Sequence, residues 1–278
     1  MPVEEQYYTK ARVAHKYDVY IGKNIPFYWP ALHFIADHLA AHFRGRQGLV
    51  VLDLGCGTAN HCITVSKKVS VGPLTLVDHS AAILEVAQRK VAEAETIPAP
   101  VAVRHGSFLE PATLADIEAE SVDLILSSLT LDHIHEDEEF VALLRRLHGI
   151  LKPGGCFVLC EKSSSPDPST PSWRSFAEMI HIRGENNRRH DFKNEAEIAE
   201  WKQHNFEEDV MRPLSLSWTL AEQAGFQVET AGGAVLPPAE ELDYERFYEI
   251  DFITPLDRAR VFDTIESYGA GILICSKR

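Results

Sequence analysis

At 278 residues and 31.1 kDa the chain suits one large α/β domain with elaborations, and a second independent domain is not expected. A formal net charge of -14 makes the average surface repel a phosphate backbone, so nucleic acid is disfavoured as a partner. No apolar run approaches the ~20 residues that span a bilayer, and Glu4, Glu5, Lys10 and Asp18 interrupt the amino terminus, so the expectation is a cytoplasmic protein without a membrane segment.

In chain order, residues 1–45 are dense in aromatics, with Tyr7, Tyr8, Tyr17, Tyr20, Phe27, Tyr28 and Trp29, and Ala31 to Phe43 has helical apolar spacing. This segment reads either as a helical lid over a site or as a helix packed on a sheet, since aromatic rings bury large areas in both roles. Residues 46–278 follow as the main domain. Leu49 to Leu52 is an unbroken apolar run, as a parallel strand covered on both faces requires, and it ends in Asp53-Leu54-Gly55-Cys56-Gly57. Gly55 and Gly57 let the backbone turn sharply and approach a ligand without a Cβ in the way. A helix entered from that turn aims unpaired N–H groups at the same spot. Leu74 to Val77 is a second strand, and Asp78 at its end is placed to accept hydrogen bonds from two ribose hydroxyls.

The loop and Asp78 suit the adenosine end of either a nicotinamide dinucleotide or S-adenosylmethionine. In the dinucleotide pattern a third glycine falls where this chain has Asn60, which weakens the pyrophosphate reading. Further on, Ser121 to Leu131 reads as a fourth strand, Glu138 to Leu151 as an amphipathic helix, and Lys152-Pro153-Gly154-Gly155 as a turn into the strand Cys156 to Glu161. The segment LLRRLHGILKPGGCFVLCEK resembles the helix, turn and fifth strand of class I S-adenosylmethionine-dependent methyltransferases. With the glycine loop and Asp78, that resemblance spans most of residues 45–165.

It implies a Rossmann-like, seven-stranded, mostly parallel sheet with an antiparallel edge strand, helices on both faces, and S-adenosyl-L-methionine as cofactor. It also implies cofactor contacts from Tyr28, Asp53, Gly55, Cys56 and Gly57, from Asp78 and His79 at the ribose and adenine, from Ser107 and Phe108 at the adenine, and from Ser127, Ser128 and Leu129 near the sulfonium. A homodimer follows by family analogy alone. Within the superfamily the chain is similar to carboxy-S-adenosylmethionine synthases, at Pro26 to Ile35, Glu161-Lys162-Ser163, His190-Asp191-Phe192-Lys193 and Leu220 to Phe226. It departs from them where Ser107 replaces an acidic residue, where Ser128 replaces an asparagine, and where no arginine occurs near Lys202 to His204 to grip an extra carboxylate. Lys202 offers a charge there but not a bidentate fork.

The remaining chain reads as a serine- and proline-rich loop over Ser163 to Ser172, two or more charged helices within Trp173 to Phe206, a helix over Ser217 to Gly225, a sixth strand over Phe226 to Thr230, and an antiparallel seventh strand over Gly271 to Ser276. Insertions are expected at about 166–212 and 236–262, the second with no readable role. Arg183, Arg188, Arg189 and Lys193 form the notable basic cluster, read as a solvated loop face. Five cysteines, an odd number with no Cys-x-x-Cys pair, argue for buried thiols over disulfides or a zinc knuckle.

For chemistry, the stretch Asp132-His133-Ile134-His135-Glu136-Asp137 follows the fourth strand, on the side where open α/β sheets place their ligand crevice. His133 and Asp132 are the catalytic candidates, with His133 placed to take a proton from an attacking group. Glu136, Asp137 and Glu138 read instead as complements to the positive end of the next helix. The His-x-His-x-Asp spacing of His133, His135 and Asp137 is not read as a metal site, because three ligands so close need distant partners. His190 and Asp191 are left open between a substrate contact and a surface pair.

The functional expectation is a methyltransferase for a small-molecule substrate. One alternative is an enzyme that converts S-adenosylmethionine itself, for which an aromatic-lined sulfonium pocket is suited. The other is a non-catalytic subunit that keeps the fold as a scaffold.

Overall fold

The computed structural model describes residues 11–25, 27–98, 100–190, 193–263 and 267–278. Two helices come first, α1 (Ala11–Asn24) and α2 (Tyr28–His42). They are followed by β1 (Leu49–Leu54), α3 (Asn60–Ser66), β2 (Val71–Asp78), α4 (Ala81–Glu93), β3 (Ala102–His105), β4 (Val122–Ser128), α5 (Asp137–Ile150) and β5 (Leu151–Lys162). The last part holds α6 (Pro171–Arg189), α7 (Glu195–Gln203), α8 (Leu214–Gln223), β6 (Gln227–Leu236), β7 (Asp251–Leu256), α9 (Arg258–Asp263) and β8 (Ser267–Ser276).

One sheet runs in the order β3-β2-β1-β4-β5-β8-β6-β7. The five strands from β3 to β5 are joined by parallel ladders, whereas β8 pairs antiparallel with both β5 and β6. The chain order reverses between β1 and β4, which opens a crevice beyond their carboxyl ends. The fold expected from the sequence is present, with eight strands in place of seven. The chain's last strand sits inside the sheet, between β5 and β6. The antiparallel edge is β7, which pairs with β6 and comes from the segment at 236–262 whose role the sequence did not reveal.

Side-chain alternation along the buried strands builds two cores. Val51, Leu124, Leu126 and Val158 point to the face covered by α2 and α6, where they meet Leu32, Ile35, Leu39 and Phe176. Their neighbours Leu52, Ile125, Phe157 and Leu159 point to the opposite face and meet Phe140, Leu144 and Leu147 of α5 and Trp218 of α8. This double coverage explains the unbroken apolar runs in the sequence.

β4 is shorter than its apolar pattern suggests. It stops at Ser128, because Leu129 turns the chain at φ 54° and Leu131–His133 forms a turn of 3₁₀-helix. The buried Glu161 carboxylate fixes that exit, accepting the backbone N–H of Thr130 at 3.0 Å and of Leu131 at 3.0 Å. The segment at 236–262 also clamps α6: the Tyr244 hydroxyl donates to Asn186 Oδ1 at 3.0 Å, and Phe247 is fully buried. Asn186 in turn donates to Asn24 Oδ1 at 2.7 Å, so α6 ties α1 to this insertion. Among the described residues no helix is long and apolar enough to cross a membrane.

Candidate functional site

At the carboxyl ends of β1, β2, β4 and β5 lies a cavity of about 1000 Å³, counted with its mouth. α1 and α6 cover it, contributing Tyr17 and Ile21 from the first and Arg183 from the second. The glycine loop forms its floor. Gly55 at φ 65° and Gly57 at φ 52° occupy the left-handed region, and the turn delivers the chain into α3. Nothing lies within 4 Å of a Cβ built on Gly57, so that side of the loop is open to a ligand. Gly55 is closed in: a Cβ there would stand 2.1 Å from Thr130 Cγ2. Gly55→Ala is therefore expected to destabilise the protein by about 2–4 kcal/mol, through a strained φ and a clash together, read as a lowered urea midpoint with an unchanged slope.

Asp78 shapes the rim beside that loop. Its Oδ2 accepts from Gly57 N at 3.0 Å and its Oδ1 from Ser80 N at 2.9 Å, and each oxygen keeps a lone pair for a further donor. Burial raises its carboxyl above the ordinary value. Asp53, at the end of β1, is buried to 1 % exposure, and its Oδ2 has no hydrogen-bond partner among the described residues. Burial pushes this carboxyl up to about 7, with hydrogen bonds from Cys62 pulling the other way. An orphaned acidic oxygen facing a cavity is the mark of a site built for a positive or donating ligand.

The opposite wall is a polar cluster. Lys162 Nζ lies 3.2 Å from Asp132 Oδ2 and also pairs with Asp209. His133 Nδ1 lies 3.2 Å from Asp209 Oδ1, and His204 Nε2 lies 3.4 Å from the same oxygen. Burial lowers the basicity of His133, but Asp209 and Asp132 outweigh it and hold the imidazole up to about 9. Glu161 beneath them is pushed up to about 8, by burial and then by Asp132.

Comparison with known proteins bears on this geometry. The methyltransferase domain family matches residues 51–155. A demethylmenaquinone methyltransferase of Staphylococcus aureus is 33% identical over 122 residues, 44% of this chain and 46% of that protein, so the match spans less than half of that relative. A carboxy-S-adenosyl-L-methionine synthase of Escherichia fergusonii is 29% identical over 225 residues, 78% of this chain and 82% of that one. The crystal structure of an S-adenosylmethionine-dependent methyltransferase from Mesorhizobium loti superposes with a TM-score of 0.51 at 16% identity, covering 90% of this chain and 97% of that chain.

Residues 51–155 form a methyltransferase domain, and the relatives and the fold support the class I S-adenosylmethionine-dependent methyltransferase superfamily. Members of that superfamily are transferases that use S-adenosylmethionine as cofactor or substrate. The cavity of this methyltransferase-fold protein fits that compound, which carries a sulfonium, an ammonium and a ribose. Asp53 offers an unpartnered acidic oxygen, Gly57 leaves its face bare, and Asp78 keeps free lone pairs.

Tyr28, Asp53, Gly55, Cys56, Gly57, Asp78, His79, Phe108, Ser128, Leu129 and His133 all line the cavity. Three positions inferred from sequence lie behind its wall. Ser127 alternates inward from Ser128 along β4 and is fully buried. Ser107 turns its hydroxyl to accept from Leu109 N at 3.2 Å. Asp132 is buried against Lys162. His135 is exposed and Asp137 accepts from Arg212 Nε at 2.8 Å, so the His-x-His-x-Asp trio does not converge.

The structure also brings in residues that sequence reading missed. Asp18 in α1 accepts from Asn60 Nδ2 at 3.0 Å and from Lys90 Nζ at 2.6 Å, docking α1 on the glycine loop. Nothing in the local sequence marks Asp18 for this contact. Arg183 and Lys193 are buried, not on a solvated loop, while Arg188 pairs with Glu185 and Glu195 on the outside. The i to i+4 spacing of Ile180 with Gly184 and of Met179 with Arg183 places Arg183 on the inner face of α6. Of the aromatic segment, Tyr7, Tyr8 and the side chain of Tyr20 lie outside the described residues, as does Asp191.

Proposed function

We propose that the chain transfers the methyl group of S-adenosylmethionine to a small-molecule acceptor held between the glycine loop and the Lys162–Asp132–His133 wall. The observation that carries this reading is the enclosed cavity, which joins an open glycine loop and Asp78 on one side to an unrelated polar cluster on the other. A cavity roofed by α1 and α6 suits a small acceptor, and the net charge of -14 disfavours a nucleic acid.

Bound S-adenosylmethionine supplies a carbon already activated by the sulfonium. The protein's own share is then alignment and exclusion of water. Asp78 holds the sugar hydroxyls. Asp53 offers a negative oxygen to the cationic part, and Tyr28 and Ile21 keep water from it. His133, on the cavity side of the cluster, touches the acceptor, and Lys162 positions Asp132 and Asp209 behind it.

Calorimetry tests this directly. S-adenosylmethionine and S-adenosylhomocysteine are expected to bind and nicotinamide dinucleotides are not. Asp78→Ala is expected to lose about 100-fold in affinity, the worth of two hydrogen bonds to a charged acceptor, ~3 kcal/mol. Undiminished affinity in that variant, or binding of the dinucleotide alone, overturns the assignment.

A second reading, conversion of the cofactor itself, is favoured by one observation. The Arg183 guanidinium lines the cavity near Lys162, so a carboxylate could be gripped there in the absence of an arginine at Lys202 to His204. Incubating the protein with S-adenosylmethionine alone separates the two. Methylthioadenosine or a modified sulfonium in the mass spectrum supports conversion, whereas an unchanged cofactor supports transfer to an acceptor.

A further inference from the structure

His133 follows β4, His204 and Asp209 follow α7, and the fold brings one ligand atom of each close together. Those atoms, one per residue, all lie within 4.8 Å of one another. Asp209 Oδ1 stands 3.2 Å from His133 Nδ1 and 3.4 Å from His204 Nε2. Nitrogen and oxygen ligands at about 2.0–2.1 Å from a tetrahedral ion are separated by roughly 3.3–3.4 Å, so these spacings are those of a coordination edge.

Two of the ligands, His204 and Asp209, are also held from behind. His204 Nδ1 is 2.5 Å from Glu208 Oε2, and Nδ1–H donating there leaves the lone pair of the neutral ring on Nε2, aimed at Asp209. Lys162 takes the other oxygen of Asp209, leaving Oδ1 as a single-oxygen ligand. Asp132 Oδ1 lies 4.0 Å from His133 Nε2, too far for a hydrogen bond but close enough to add negative charge beside that ring. A carboxylate behind a ligating histidine and a cation behind a ligating carboxylate are the outer-shell partners that orient metal ligands.

The backbone adds an independent sign. His204–Glu208 is a turn of π-helix, a rare winding frequent at functional sites, and His204 meets Glu208 within it and Asp209 just beyond it. Without it the chain would carry His204 round the helix at the ordinary pitch. Val210 N donates to Asp132 O at 2.7 Å, which pins this turn against the exit of β4 where His133 sits.

We propose that His133 Nδ1, His204 Nε2 and Asp209 Oδ1 bind a divalent first-row transition metal of the zinc type, with its open position on the cavity side of His133. Two histidines and a carboxylate are the ligand set of sites that keep such a position for a bound small molecule. Zinc is the choice among these metals because imidazole nitrogens and a carboxylate oxygen are among its ordinary ligands. His133 is the ligand that lines the cavity, whereas His204 and Asp209 are buried behind it, so the site adjoins the cavity through His133. This inference goes beyond the methyltransferase reading and stands without it.

The test uses the full chain, stripped with a chelator and titrated with Zn²⁺ and Co²⁺ in the absence of S-adenosylmethionine. One ion per chain is expected, and the Co²⁺ form should show visible absorption of the intensity typical of a four-coordinate site. His204→Ala should abolish binding, Glu208→Gln should weaken it by about 10–100-fold, and His135→Ala, at an exposed neighbouring histidine, should leave it intact. Circular dichroism checks that the variants fold. Should His204→Ala fail to fold, the wild-type Co²⁺ spectrum and Glu208→Gln decide the matter. Absence of Zn²⁺ and Co²⁺ binding by the wild-type chain, or equal affinity in Glu208→Gln, would overturn the site. S-adenosylmethionine binding, measured separately on the stripped protein, keeps that failure distinct from failure of the methyltransferase reading.

Discussion

Lys162→Met is expected to destabilise the metal-free, ligand-free protein by about 3–5 kcal/mol, the usual cost of leaving a buried ion pair without one partner. Lys162 is the ammonium between two carboxylates, Asp132 and Asp209, whose side chains are 2 % and 0 % exposed. Methionine keeps most of the unbranched stem, so little of the loss comes from packing. The penalty instead comes from two buried negative charges that keep His133 and His204 beside them but lose the ammonium between them. Urea denaturation near neutral pH reads it as a lowered midpoint. The double variant Lys162→Met with Asp209→Asn should recover part of the loss, since one of the stranded charges is then gone. A single variant within about 1 kcal/mol of wild type would mean that the lysine does not hold the wall of the site.

How much of this was legible in the sequence depended on how local each feature is. The glycine loop and Asp78 are strand-end features encoded within a few residues of one another, and the helix and strand around Lys152 to Glu161 carry both their periodicity and their turn chemistry. The central strands show as continuous apolar runs because Val51 and Leu52, or Ile125 and Leu126, face two separate cores. β7 was invisible for the converse reason. As an edge strand with one neighbour it is exposed or half-buried over Asp251 to Pro255, and its sequence has neither alternation nor an apolar run. The polar wall was half legible. Asp132 and His133 follow a strand end and could be marked, whereas Lys162, His204 and Asp209 meet them only through the folded chain. The segment resembling the arginine-bearing stretch of carboxy-S-adenosylmethionine synthases, Lys202 to His204, shows how far a motif departure can inform. The missing arginine was readable, but not that His204 turns to Asp209 in its place.

S-adenosylmethionine should gain affinity relative to S-adenosylhomocysteine as pH rises from 6 to 8, by about tenfold, and Asp53→Asn should abolish that gain. The two ligands differ by a methyl group and by the sulfonium charge, so their ratio isolates what that charge meets. Asp53 is the buried carboxyl that faces the cavity without a partner for Oδ2, and burial has pushed it up to about 7. Below that pH it is neutral and offers the cation little. Above it the carboxylate is anionic, and a tenfold gain, ~1.4 kcal/mol, equals the attraction of two unit charges roughly 12 Å apart at an effective dielectric of about 20. The sign for stability is opposite. Because the folded-state value lies above the unfolded value of 3.8, the stability contributed by neutral Asp53 is complete below the unfolded value and is lost as pH rises through about 7. Asp53→Asn should therefore be less sensitive to pH than the wild type between about 4 and 7 when ligand-free, and should also lose the pH-dependent preference for the sulfonium. Parallel pH profiles for the two ligands in the wild type would place the sulfonium away from Asp53, and the glycine loop would then have to hold the cofactor in another orientation.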